Sequence, residues 1–125
     1  MKVNEVMNRA VVIEENIKLK EAAKIMSEKR IGSLIILRGD KIIGIITESD
    51  VLKNISKLDE NISKVMSKNV ITVEENENLD DAALTMAKNK IKRLPVLKKG
   101  SLVGIVTATD IIANSEELNE QFFWE

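Results

Sequence analysis

Two short stretches hold the side chains best placed to do chemistry. Gly44-Ile45-Ile46-Thr47-Glu48-Ser49-Asp50 returns as Gly104-Ile105-Val106-Thr107-Ala108-Thr109-Asp110. Each reads as an apolar strand that closes on a Thr and turns straight into a short helix. A Thr at the N-cap with an Asp three residues on is a capping-box-like start, at a helix mouth that carries N–H groups and partial positive charge. These residues leave two readings open. Either the mouth seats an anion such as phosphate, or Thr and Asp cap the helix and no ligand is involved.

Composition narrows what else is feasible. With 125 residues the chain is the size of one compact domain and leaves no room for a separate catalytic domain. Charged residues at 31% and apolar ones at 44% fit a globular protein and argue against wholesale disorder. There is no His and no Cys, which removes disulfides, Cys/His zinc sites and Ser-His-Asp or Cys-His nucleophile pairs. Asp, Glu and Lys remain, in no convergent arrangement, so no catalytic or metal-ligating residue is assigned and the chain is not expected to be an enzyme. A net charge of −1 supplies no global basic field, and the aromatics Phe122, Phe123 and Trp124 all sit at the C-terminus. Nucleic acid is therefore not an expected partner. No apolar run approaches the length of a membrane span, and Met1-Lys2-Val3-Asn4-Glu5 lacks a signal core, so a cytoplasmic protein with no membrane association is expected.

An internal repeat supplies the elements that position the two motifs. Glu14-Glu15-Asn16 returns as Glu74-Glu75-Asn76, Leu19 as Leu79, Ala22-Ala23 as Ala82-Ala83, Met26 as Met86 and Ile31 as Ile91, all 60 residues on. Val6-Met7 returns as Val65-Met66 after only 59, a slip of one residue near the first strand. Each copy predicts a helical turn (Val3 to Met7, Ile62 to Met66), a brief strand (Val11 to Ile13, Val70 to Val73), a long helix, a two-stranded hairpin and a short helix. The long helix carries apolar residues at i, i+3, i+4 and i+7, the spacing of one buried face. Asn78 with Asp81 suits the start of the second long helix, whereas Lys18 is a poor cap and predicts a looser or shifted start for the first. The hairpin runs, Ser33 to Leu37 with Ile42 to Thr47 and Leu94 to Leu97 with Leu102 to Thr107, are apolar throughout, which predicts strands covered on both faces. Neither copy can cover its own helix and sheet faces.

This order, repeated in register with Ala-Ala on the long helix, Arg93-Leu94-Pro95-Val96 entering the hairpin and a terminal Gly-x-x-Thr-x-x-Asp, resembles the CBS domain family, in which two motifs form one Bateman module. The likeness covers nearly the whole chain. It implies an α/β fold of α+β type, two β-α-β-β-α motifs related by a pseudo-twofold axis, with residues 1–59 as the first motif and 60–125 as the second with its tail. It also implies a stand-alone regulatory module that binds AMP, ADP, ATP or S-adenosylmethionine in the cleft between motifs and signals to a separate, unidentified protein. No obligatory cofactor is implied. The alternative is a ligand-free scaffold for protein–protein contact or dimerisation.

By the same resemblance, Asp50 and Asp110 hold ribose hydroxyls, since a carboxylate can accept from both. Thr47 and Ser49, and in the other site Thr107 and Thr109, meet phosphate oxygens. Adenine lies near Ile13 and Ile31-Gly32-Ser33 in one site and near Thr72 and Ile91 in the other. Lys92 and Arg93 stand where the first copy has Gly32 and Ser33, and the family pattern sends such residues to phosphates held over the first motif. A phosphorylated nucleotide is thus expected to prefer the Asp50 site. Ile35 in place of Pro95 is expected to alter the strand entry of the first copy. Family modules commonly pair through their helices, so a homodimer is expected, and Phe122-Phe123-Trp124 reads either as a latch on the chain's own surface or as part of that interface.

Overall fold

The computed structural model describes residues 1–115, so the Phe122-Phe123-Trp124 cluster lies outside the described residues. Two compact units form: Ala10–Val70, and Met1–Arg9 joined by the chain from Ile71 onward. The first contains β1 (Val12–Glu14), α1 (Leu19–Lys29), β2 (Ser33–Arg38), β3 (Lys41–Thr47) and α2 (Glu48–Lys53). The second repeats the order as β4 (Val73–Glu74), α3 (Leu79–Asn89), β5 (Arg93–Lys98), β6 (Ser101–Thr107) and α4 (Ala108–Ala113). In each, the first strand runs parallel to the second and the second antiparallel to the third. The long helix supplies the crossover that a parallel pair requires. This is the expected mixed α/β fold, twice over.

The helix periodicity translates directly into packing. Leu19, Ala22 and Met26 of α1 are buried against Leu34, Ile36 and Ile46, and Leu79, Ala82 and Met86 of α3 against Leu94, Val96 and Val106. Ala23 and Ala83 are only half-buried at the margin of that face. Leu34, Ile35 and Ile36 are consecutive and each no more than 1% exposed, so β2 is covered on both faces as its unbroken apolar run predicts. Both hairpins use two-residue connections. Gly39 has φ 59°, while Lys99 and Gly100 both take positive φ, the pattern of the primed turns that match strand twist.

Three sequence-based details need correction. Lys18 does not loosen or shift α1: α1 and α3 begin at matching residues, and neither Lys18 nor Asn78 caps through its side chain. Backbone bonds from neighbouring chain do the work instead, Leu19 N–H to the Glu60 carbonyl (2.9 Å) and Leu79 N–H to the Met1 carbonyl (2.9 Å). The Asn78 side chain accepts from Lys2 Nζ at 3.0 Å. The Ile35/Pro95 difference also acts on the second copy rather than the first. Ile35 N–H donates to the Val11 carbonyl at 3.1 Å, a bond that Pro95 cannot make. The β4 pairing accordingly starts at Val73 with Val96, one step later than Val12 with Ile35, and leaves Thr72 outside the strand.

The opening turns are exchanged between repeats. The 3-10 turn Val3–Glu5 buries Val3 in the core of β4 to β6, and the 3-10 turn Ile62–Lys64 buries Ile62 in the core of β1 to β3. Just beyond each turn, Asn8 exchanges two backbone bonds with Ile105 (2.8 and 2.9 Å), and Ser67 does the same with Ile45 (3.0 and 3.0 Å). The 59-residue offset thus holds through Asn8 and Ser67, and the slip falls where the chain passes from one unit into the other.

This bridge explains the Gly of each terminal motif. A Cβ on Gly44 would collide with the Met66 side chain, whereas one on Gly104 would lie 2.8 Å from the Asn8 carbonyl and 2.9 Å from Met7 Sδ. A methionine can swing aside; a carbonyl held in a two-bond bridge cannot. Gly104→Ala is therefore expected to lower stability by about 1–3 kcal/mol and Gly44→Ala by less. Paired urea unfolding curves check the order, and an equal or reversed loss would defeat it.

Candidate functional site

Each terminal motif folds as a reciprocal capping box. Thr47 ends β3 in extended conformation and caps α2: Asp50 N–H donates to Thr47 Oγ1 (3.3 Å), while the Thr47 N–H and hydroxyl donate to Asp50 Oδ2 (2.9 and 3.0 Å). Thr107 and Asp110 repeat this at 3.2, 2.9 and 2.8 Å. The amides of Asn54 and Asn114 donate to the Asp50 and Asp110 carbonyls, both at 2.7 Å. Glu48 N–H donates to the Gly32 carbonyl (3.1 Å) and Ala108 N–H to the Lys92 carbonyl (2.8 Å). Of the two readings of the motif, capping is thus met in both copies. Several N–H groups that an anion would use are already engaged.

The same bonds gather most of the expected site residues. Arg30 and Lys90 close the long helices in left-handed conformation, and the N–H groups of Ile31 and Ile91 return to the Met26 and Met86 carbonyls, both at 3.0 Å. The chain then enters β2 at Ser33, paired with Thr47, and β5 at Arg93, paired with Thr107. One unit thereby collects Ile31, Gly32, Ser33, Thr47, exposed Ser49 and half-buried Asp50; the other collects Ile91, Lys92, Arg93, Thr107, exposed Thr109 and half-buried Asp110. Ile13 is not at this corner. It pairs with Ile36, three residues and about 10 Å along β2 from Ser33. Thr72 is half-buried just before β4.

Sequence reasoning missed two features. The first is an open groove of about 450 Å³ within the first unit, bordered by Ala23, Ile31, Gly32, Glu48, Val51 and Leu52. The hint was Leu52, an apolar side chain that the helical pattern leaves on the outside. The second is Asn8, whose side-chain amide donates to Asp110 Oδ1 at 2.9 Å. Its counterpart Ser67 makes no such bond, and no described residue donates to Asp50 Oδ1. Among the described residues, no group of three or more Asp and Glu is placed to hold a metal ion.

Because the carboxylates are structural as well as available, Asp50→Ala should cost about 1 kcal/mol through the lost cap. Asp110→Ala should cost more, since it also releases Asn8, and Asp50→Asn should cost less, since its carbonyl can still accept from Thr47. Thermal unfolding of the three variants checks the ranking; an Asp50→Ala protein as stable as the parent would refute the capping role.

Comparison with known proteins gives a consistent result. The family model for the CBS domain matches twice, at residues 3–57 and 62–117. Protein MJ0653 of Methanocaldococcus jannaschii is 44% identical over 124 residues, covering 94% of this chain and 64% of its own length. The chain spans 34% and 41% of the length of two further relatives from that organism. Among solved structures, the CBS domain pair of protein MJ0100, in complex with 5′-methylthioadenosine and S-adenosyl-L-methionine, is 34% identical with a TM-score of 0.85, covering 90% of this chain and 94% of that one. The CBS domain protein PAE2072 of Pyrobaculum aerophilum, complexed with AMP, shares the fold at a TM-score of 0.85 over 100% of both chains, at 20% identity. The two matched copies, which together span most of the chain, place it in the CBS domain family, as a tandem pair of CBS motifs.

Proposed function

We propose that this chain is a regulatory module that binds an adenosine ligand, AMP, ADP, ATP or S-adenosylmethionine, at its Thr-x-x-Asp corners and passes its occupancy to a partner protein. The observation that carries the reading is the Asp50 carboxylate. One of its oxygens is spent on the cap and the other has no donor among the described residues, at the mouth of a corner lined by Ile31, Gly32 and Ser33. A fixed carboxylate with an open oxygen suits vicinal hydroxyls. The likeness to a CBS pair bound to two adenosine compounds supports the ligand class. Lys92 and Arg93 supply charge-assisted bonds to phosphate in this reading.

Calorimetric titration of the four ligands tests it. At a hundred times its dissociation constant a bound ligand should stabilise the fold by about 2.7 kcal/mol, visible as a raised melting temperature. Asp50→Asn should weaken every adenosine ligand, while Lys92→Ala with Arg93→Ala should weaken ATP and ADP more than adenosine. Absence of both heat and melting shift with all four ligands would leave a ligand-free scaffold.

The module is further proposed to work as a homodimer through its helices. Leu52 on α2 is 72% exposed and Ile112 on α4 57% exposed, with Ile55 and Leu84 also on the surface. Sedimentation should show a dimer that Leu52→Glu with Ile112→Glu converts to monomer. A parent protein monomeric at every concentration would defeat the proposal.

A further inference from the structure

The two Asp corners share one cap but differ in what else touches the carboxylate. An ionised carboxylate offers about four acceptor positions. At Asp50, Oδ2 takes the Thr47 N–H and hydroxyl, and Oδ1 is open among the described residues. At Asp110, Oδ2 takes the Thr107 N–H and hydroxyl, and Oδ1 also takes the Asn8 amide at 2.9 Å. A vicinal diol, which brings two donors, finds two positions at Asp50 and one at Asp110.

Asn8 reaches Asp110 because its backbone is fixed. Its N–H and carbonyl are both bonded to Ile105 of β6, five residues before Asp110. Ser67 is held against Ile45 by the same pair of bonds, five residues before Asp50, with a side chain that makes no bond to the Asp50 carboxylate. The scaffolds match and the side chains do not. One substitution therefore separates the acceptor capacities of the two corners.

We propose that Asn8 sets the ligand selectivity of the Asp110 corner: its amide occupies one of the acceptor positions that a ribose diol would use, so this corner engages a ribose through a single hydroxyl. The Asp50 corner, with Ser67 at the matching place, engages both. The Asp110 corner accordingly accepts a nucleoside whose 2′ or 3′ hydroxyl is missing or substituted as readily as the full ribose, while Asp50 discriminates against such compounds. This deepens the adenosine-binding reading and rests on it. Asn8 is exposed and its backbone bonds do not depend on its side chain, so it can be changed without disturbing the bridge.

The test uses AMP and 2′-deoxy-AMP as probes and reads the ratio of their affinities by calorimetry. In an Asp50→Asn background, which isolates the Asp110 corner, the ratio should lie near unity and rise roughly tenfold when Asn8→Ser is added, the effect of one hydrogen bond to a charged group. In an Asp110→Asn background, Ser67→Asn should lower the ratio at the Asp50 corner by a similar factor. Melting temperatures of all variants report folding separately. If AMP binds and Asn8→Ser leaves the ratio unchanged, the role of Asn8 is overturned while adenosine binding stands. If neither nucleotide binds any folded variant, the adenosine reading fails and takes this inference with it.

Discussion

The constraint on which both units depend is that one repeat cannot close its own core. A three-stranded sheet with a single long helix across it leaves a gap in its core, and burial of apolar surface there is worth about 25 cal/mol per Å². The gap is filled from elsewhere in the chain: Ile62 enters the core of β1 to β3 and Val3 the core of β4 to β6, both fully buried. The exchanged turns also deliver the chain beside β3 and β6, where Ser67 and Asn8 add a two-bond bridge to each third strand. The backbone is thereby tied at the strand that ends in the Thr-x-x-Asp motif.

Several features of the motif follow from that bridge rather than from ligand chemistry. Gly104 has no side chain because the Asn8 carbonyl and Met7 lie where a Cβ would be, and Gly44 because Met66 does. Thr and Asp form a cap because a short helix that starts directly from a strand must satisfy its first N–H groups at once. The corner is rigid for structural reasons before any ligand arrives. Such prior positioning is also what a carboxylate needs to bind hydroxyls without an ordering cost.

Much of this was legible in the sequence. The repeat, the 3.6-residue periodicity of Leu19, Ala22 and Met26, and the unbroken run Leu34-Ile35-Ile36 prescribed the elements and their buried faces. The Thr-x-x-Asp spacing prescribed the cap. Helix starts are not legible from Lys18 and Asn78, because the orphan donors of Leu19 and Leu79 are satisfied by Glu60 and Met1, remote in sequence. The effect of Pro95 on its own copy is not legible without the partner strand; the lost donor shows only once β4 and β5 are paired. Asn8 was invisible for the same reason. Nothing local connects it to a carboxylate 102 residues away.

The differences between the copies point in one direction. Lys92 and Arg93 replace Gly32 and Ser33, Pro95 replaces Ile35, and Asn8 replaces Ser67, while the cap stays the same and the core changes only between Ile and Val, at Ile36/Val96, Ile46/Val106 and Ile62/Val3. A duplicated scaffold that keeps its structural bonds and varies the side chains around them holds two differing corners at nearly constant folding cost. Stability depends on the core positions, which stay apolar in both copies so that both cores close. A position such as Asn8 is outside that requirement, since its side chain contributes to one carboxylate and to no core. The two corners can thus diverge in charge and hydrogen-bonding capacity while the fold that supports them stays fixed.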